Sequence, residues 1–560
     1  MLKAGLHQNR SKRPRLIIII SLCITMFLGC SKGNVESPNN SDNIWGFGNV
    51  VKNESNTFDS NPVSIADPTT FNYVNQEDFT QLVKGSLSTS YEGIYRSNYQ
   101  QEALAQIVQL KEKRTYSTDH PLFVHNPFGT NSSSLYVYFG TPTQRIVLYY
   151  TVSASDSTIP DFSDTMYMDA TNTQDLEGQI IGLVSGQKNK IVLDVRDDAG
   201  NKISKKAYII DVPQKESFIS QRLTVETSGE MEYTRGLFTY LVKDQPTGYF
   251  VFYDNNGILR SEIPTSVQQT NARIVQADNM IFYEYEDNEF ALVNNLGFIV
   301  QTYSYNNGEN IVDYDYDASN KLVVAIVEDS TTKAQDKVYS LNLTSGDWIQ
   351  LVDFKKILRK LPVNSGETEE EASNQDWIGL NYIYSVQGKD IIVLSQELDA
   401  IFRINNVYSQ PVIRWIIGNE EQWNGTNYES LLLAKSGNMD TIDSIDSLNY
   451  TTSKKLKDQQ FYLSFLNFNG KIESSPKVTF GRYLIDENQN RYRIQQSLDI
   501  VSERSKCSAI GYGTHTIIAL WDNQFIIEYN TKGEIMLKMT LPNTNSSYRI
   551  YKYTMDRYWF

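Results

Sequence analysis

Histidines, cysteines and clustered carboxylates are the side chains from which nucleophiles, acid–base pairs and metal sites are most often built. This chain of 560 residues is sparing with the first two. Its four histidines are His7, His120, His125 and His515. His515 stands in an apolar run, Thr514–Leu520, that reads as a strand. The three cysteines are Cys23, Cys30 and Cys507. Cys507 lies in the apolar-flanked stretch Ser505–Ile510 and reads as a small buried hydrophobe rather than a nucleophile. Four acids, Glu367, Glu369, Glu370 and Glu371, crowd one short segment. They lack the alternating ligands and turn glycine of a calcium loop, so they read as a solvated acidic loop. No metal or cofactor is expected.

The N-terminus carries a different chemistry. A basic stretch ending at Arg15 precedes the apolar run Leu16–Leu28, which is too short to span a bilayer and suits a signal peptide. It ends Phe27-Leu28-Gly29-Cys30, a lipobox-like sequence in which the Cys30 thiol would take a diacylglycerol. Cleavage would remove residues 1–29, including Cys23, and leave Cys30 acylated and Cys507 alone, so no internal disulfide is expected. The expected location is the cell envelope, at the outer membrane, on its periplasmic face or the cell surface. The formal net charge is −15. Removing the five basic residues of the leader from the 51 in the chain leaves 46 against 66 acids. That balance excludes nucleic acid as a partner, because no surplus of cations remains to neutralise phosphates.

The elements that must position any site are strands. Hydrophobic residues make up 40% of the chain, with 36 Tyr and 24 Phe, a composition that favours large β cores. Residues 30–75 read as a flexible tether and 76–115 as a helical segment, with Leu104, Ile107 and Val108 at helical spacing. Residues 116–215 read as a β-sandwich, with a hairpin turn at Asp197–Asn201. From 216 to 560 one theme repeats about six times: a lead-in strand, a buried strand, a turn, and a closing strand. Turn signals recur at Asp254-Asn255-Asn256-Gly257, Asn294–Gly297, Thr344–Gly346 and Asn530–Gly533. The expected fold is all-β, an N-terminal β-sandwich followed by a six-bladed β-propeller.

The fourth repeat is the most distinctive. It has lead-in Trp377–Tyr384, buried run Asp390–Ser395, alternating run Ala400–Ile404 and closing run Val412–Ile417 before Gly418. Asp376, Trp377, Asn381, Ser395, Trp415, Ile416 and Gly418 resemble a blade of the bacterial aryl-sulfate sulfotransferase (arylsulfotransferase, PAPS-independent) family. His125-Asn126-Pro127-Phe128-Gly129-Thr130 resembles the start of that family's N-terminal domain, and Tyr548-Arg549-Ile550-Tyr551-Lys552 its C-terminal motif. The resemblance implies transfer of a sulfuryl group between phenols through a sulfo-histidine. Two positions depart from it. Gly379 stands where the family has a catalytic His, and Glu397 where it has an anion-binding Arg. By the same resemblance Asn381 is retained, Asn469 fits the Asn before Gly470, and Arg482 fits an Arg before the next strand. Asn381, Glu397, Asn469 and Arg482 are therefore the pocket candidates, and no catalytic residue is assigned. The reading is a lipid-anchored family member without the sulfo-histidine mechanism, binding a phenolic or other small ligand, or a partner, in the propeller channel. An active sulfotransferase with another constellation, and a structural lipoprotein, are the alternatives. Homo-oligomerisation stays open.

Overall fold

The structure, a computed structural model, describes residues 72–74 and 91–560 apart from short segments, of which 359–376 and 469–476 are the longest internal ones. Cys30, most of the tether, residues 76–90, the Glu367–Glu371 cluster, Asp376 and Asn469 lie outside the described residues.

Described structure begins with a short strand, Asn72–Val74, within the stretch read as tether, which pairs in parallel with Leu122–Val124. A 3-10 turn, Tyr91–Tyr95, leads into the helix Ser97–Glu112. The helix buries Tyr99, Gln100, Ala103 and Ile107, whereas Val108 is exposed. The expected Leu104–Ile107–Val108 stripe is therefore rotated toward Ala103, whose small side chain lets the helix sit close. Gln100 fixes the docking. Its amide nitrogen donates to the carbonyls of Ile94 and Phe128, and its oxygen accepts from Ile299 N in the propeller.

The sandwich has two sheets. One contains Asn72–Val74, Leu122–His125, Ser134–Gly140 and Asp175–Ile181; the other contains Phe162–Asp169, Arg145–Ala154, Lys188–Asp197 and Lys202–Asp211. Arg145–Ala154 alternates buried and outward residues, as a half-covered strand should.

After the sandwich, six sheets of four or five strands follow among the described residues, antiparallel except for the short strand Ala434–Lys435, which pairs in parallel with Arg491–Tyr492. Within them the buried runs are apolar on both faces. Asp390–Ser395 is buried at every position, because each propeller sheet is covered by a neighbour on either side. Burying a side chain such as Ile391 or Leu394 contributes about 1.5–3 kcal/mol, so these central strands hold the sheets together. The fourth sheet has strands Leu380–Val386, Asp390–Ser395, Ala400–Asn405 and Val412–Ile417. Its lead-in begins at Leu380 rather than Trp377, because Gly379 just before it is left-handed, at φ 56°.

The recurring turn signals share one mechanism. Asp254 accepts from the backbone of Asn256 and Ile258, Asn294 and Asn530 do the same in later sheets, and Asn342 accepts from Thr344 and Ser345. Gly257, at φ 71°, supplies the left-handed residue that closes the first of these turns.

The first strands of successive sheets adjoin around the axis: Ile274–Ala277, Glu309–Asp317, Leu380–Val386, Ile445–Thr451 and Cys507–Tyr512. Two pairings that the repeat pattern did not foretell close the ring. Thr224–Thr227 is the outer strand of the sixth sheet, paired with Leu537–Thr540. The C-terminal strand Tyr551–Tyr553 lies on the inner edge of the first sheet, paired with Leu237–Thr239.

Candidate functional site

The start of the fourth sheet brings together the two departures from the family wording. Ser395 donates its hydroxyl to the Ile378 carbonyl and accepts from Leu398 N, which folds the turn Gln396–Asp399 back over Gly379. Gln396 N donates to the Gly379 carbonyl at 2.9 Å. A Cβ on residue 379 would lie 2.6 Å from Glu397 Cγ. The space an imidazole would enter is therefore occupied by the Glu397 side chain, which is otherwise exposed. Asn381 sits at an irregularity in the pairing between Leu380 and Tyr382. Its amide nitrogen faces Gln396 Oε1 at 3.4 Å, and its buried Oδ1 makes no hydrogen bond among the described residues.

The Asn381 carbonyl accepts from Arg549 Nη2 at 2.5 Å, and that contact leads to the axis of the propeller. Arg549 Nη1 donates to Asp313 Oδ1 at 2.6 Å, and the guanidinium lies 3.9 Å from the ring centre of Tyr382. Arg273 donates to the Tyr314 and Ile383 carbonyls and stands 3.4 Å from both Asp313 and Asp315. The carboxylates also accept backbone protons, Asp313 from Ile383 N and Asp315 from Ser385 N. Burial works against the charge on both arginines, but Asp313 and the neighbouring groups, Asp315, Tyr384 and Tyr551 for Arg273 and Tyr382 and Tyr551 for Arg549, together outweigh it and they remain cationic. Burial pushes the Asp315 carboxyl up to about 6, and it raises Asp446, which accepts from the Tyr548 hydroxyl. Two arginines thus face three carboxylates in this axial group, and neither cation is left to a ligand anion.

Beside this network is a small cleft that opens to solvent. Its closed end has room for about one water molecule. Leu448, Ala509, Ile510 and Ile550 form apolar walls, and Tyr382, Ser447 and Tyr551 bring hydroxyls to it. Those three hydroxyl oxygens are buried, with Tyr382 close to Ser447 and Asp446 and Tyr551 close to Arg549. Ser447 holds φ 59°, rare for a serine, in the irregular pairing between Asp446 and Asn449.

The sequence-read candidates do not form one pocket. Asn381 and Glu397 share the start of the fourth sheet. Arg482 lies between the fifth and sixth sheets, donating to the Gly513 carbonyl at 2.6 Å, 4.4 Å from the Tyr462 ring centre. Its contacts are separate from those of Asn381. Trp415 is buried, its indole N–H donating to Glu487. Burial raises the Cys507 thiol to about 12, as suits a packing residue.

A second buried network was not foreseen. His515 Nδ1 lies 2.7 Å from Glu528 Oε1, while Lys552 Nζ donates to Glu528 Oε2, Thr234 and Asn255. Burial pushes Glu528 up, but His515, Lys552 and Thr234 outweigh it and hold the carboxyl at about 2. Burial pulls Lys552 down to about 8 against the opposing pull of Glu528. This network joins the sixth sheet to the C-terminal strand. Its signal in the sequence was the Tyr548–Lys552 motif, which also supplies Arg549 to the axis.

Comparison with known proteins follows from this architecture. The family model described as Arylsulfotransferase (ASST) matches residues 211–556, and the Arylsulfotransferase Ig-like domain matches residues 122–213. The chain belongs to the arylsulfotransferase family. No curated protein matches it. Similar solved structures include the Myceliophteria thermophila Cps50 (Swd1) β-propeller domain, at TM-score 0.34 and 9% identity, covering 57% of this chain and 90% of that one. An auxiliary nutrient binding protein from Bacteroides thetaiotaomicron VPI-5482 gives TM-score 0.30 and 9% identity over 72% and 93% of the two chains. Dihydro-heme d1 dehydrogenase NirN gives 0.29 and 12% over 66% and 74%. These scores are too low to bear on function.

Proposed function

We propose that this member of the arylsulfotransferase family does not carry sulfuryl groups on histidine, and that it binds a small neutral phenolic molecule at the propeller axis. We propose further that Cys30 anchors it by lipid to the outer membrane. The observation that carries the reading is the contact of Gly379 with Glu397: the position of the family's histidine is filled by a carboxylate-bearing side chain. A carboxylate about 4 Å from a sulfate repels it by about 4 kcal/mol at an effective dielectric near 20. The axial charges point the same way, since Arg273 and Arg549 are already matched by Asp313, Asp315 and Asp446. A phenol suits the mouth of this cleft better than its sulfate ester. Its ring would rest at the opening, with its hydroxyl directed into the one-water space beside Tyr382, Ser447 and Tyr551.

Two measurements test this. Purified protein with 4-nitrophenyl sulfate and phenol should release no nitrophenolate; robust turnover refutes the loss of transfer. Calorimetric titration at neutral pH should detect phenol but not phenyl sulfate, with Tyr382→Phe weakening the former. Preference for the sulfate ester refutes the binding mode.

A further inference from the structure

The sandwich has a charged face that the axial site does not use. In the sheet of Arg145–Ala154, Phe162–Asp169, Lys188–Asp197 and Lys202–Asp211, one face packs on the core and the other meets solvent. On the solvent face Tyr167 is 60% and Tyr149 40% exposed. They are diagonal neighbours, because Tyr167 stands opposite Val147 and Tyr149 opposite Thr165. The Arg196 guanidinium lies 5.4 Å from the Tyr149 ring centre and is gripped by both oxygens of Asp194.

Cations dominate the rest of this face. Arg145 stands opposite Asp169 and Lys188 opposite Asp211, and Arg196 is held by Asp194. Lys190, Lys202 and Lys205 remain as surplus positive charge. The surplus is local and opposes the whole chain, whose formal charge is −15. The tyrosines lie among these cations on a flat surface, with Thr151 and Ser163 hydroxyls alongside. The aliphatic residues Val147, Val192, Ala207 and Ile209 are half-buried rather than protruding.

We propose that this sheet face binds an acidic polysaccharide. Tyrosine rings pack against the C–H faces of sugar rings, and the lysines complement carboxylate or sulfate groups along the chain. An anionic bilayer would share the charge, but the face has no protruding aliphatic side chain to insert. This site is distinct from the axial cleft and independent of what binds there.

Affinity electrophoresis of the purified full chain tests the proposal. The gels would contain dextran sulfate, polygalacturonate or neutral dextran, with phosphatidylglycerol vesicles in a parallel flotation assay. Either acidic polysaccharide should retard the protein, more weakly as salt rises, and neutral dextran should not. Tyr149→Ala/Tyr167→Ala should weaken retardation about ten-fold. Lys190→Gln/Lys202→Gln/Lys205→Gln should weaken it and flatten the salt dependence. Unchanged thermal midpoints would show that both variants fold. The proposal is overturned by no retardation in either acidic gel, by retardation that the tyrosine variant leaves intact, or by binding to the vesicles alone.

Discussion

The contact between Gly379 and Glu397 makes their substitutions energetically dependent on each other. Gly379 holds φ 56°, and its missing Cβ would lie 2.6 Å from Glu397 Cγ and 3.3 Å from Glu397 N. Gly379→Ala should cost about 1–2 kcal/mol for the left-handed backbone. The overlap with Glu397 should add about 1–3 kcal/mol for overpacking. In a Glu397→Ala background the overlap with Cγ is gone, the backbone N at 3.3 Å needs only a small adjustment, and the backbone cost remains. Glu397 is exposed, so Glu397→Ala alone should change stability by less than about 0.5 kcal/mol. The double-mutant cycle should therefore return a coupling of about 1–3 kcal/mol in favour of the pair. Urea midpoints of wild type, both single variants and the double variant, followed by tryptophan fluorescence, measure it. Strictly additive effects would refute the claim that Glu397 occupies the space beside residue 379, and would remove the main support for the loss of histidine chemistry.

Other predictions concern buried groups. Lys552→Met should destabilise by about 3–5 kcal/mol because it leaves Glu528 buried without its cation. Lys552→Met/Glu528→Gln should recover most of that loss in the same urea assay. Burial raises the Glu284 carboxyl to about 8, so the fold holds its proton. Its contribution is full below the ordinary carboxylate range and is lost as pH rises through about 8. The stability of wild type relative to Glu284→Gln should accordingly fall between about pH 5 and 9, as read from urea midpoints across that range. In a Cys23→Ser/Cys30→Ser chain, Cys507 should resist Ellman's reagent in the native state and react at once in guanidinium, since its thiol is buried and raised. Rapid native labelling would contradict its place in the packed strand.

Much of the architecture was legible because local pattern and packing agree. The runs Asp390–Ser395 and Val412–Ile417 are strands with the bounds read from sequence, since mostly apolar, β-branched residues between turn signals leave little choice. The Asp254 and Asn530 turns were legible because a side-chain acceptor and a glycine at fixed spacing close the turn by themselves. The ring closure was not legible. Tyr551-Lys552-Tyr553 mixes aromatic and charged residues, and its partner Leu237–Thr239 lies about 300 residues earlier, beyond any local signal. The axial group was hidden for the same reason. Arg273, Asp313, Asp315 and Asp446 come from three different sheets, and each is unremarkable in its own segment. The candidates Asn381, Glu397 and Arg482 were named one by one from wording, and wording does not say that Arg482 faces another gap between sheets.

The two closing strands also set an order of events for a newly made chain. The first sheet lacks its inner strand until Tyr551–Tyr553 has emerged, and until then Leu237–Asp244 presents an open edge. Meanwhile Thr224–Thr227 must wait for Leu537–Thr540, more than 300 residues downstream. Neither seam can be sealed before residues 537–553 are made, so the sheets stay an unfinished, adhesive arc until then. Loss of Tyr551–Tyr553 would remove the lid of that arc, and protease sensitivity rather than reduced binding would be its first sign.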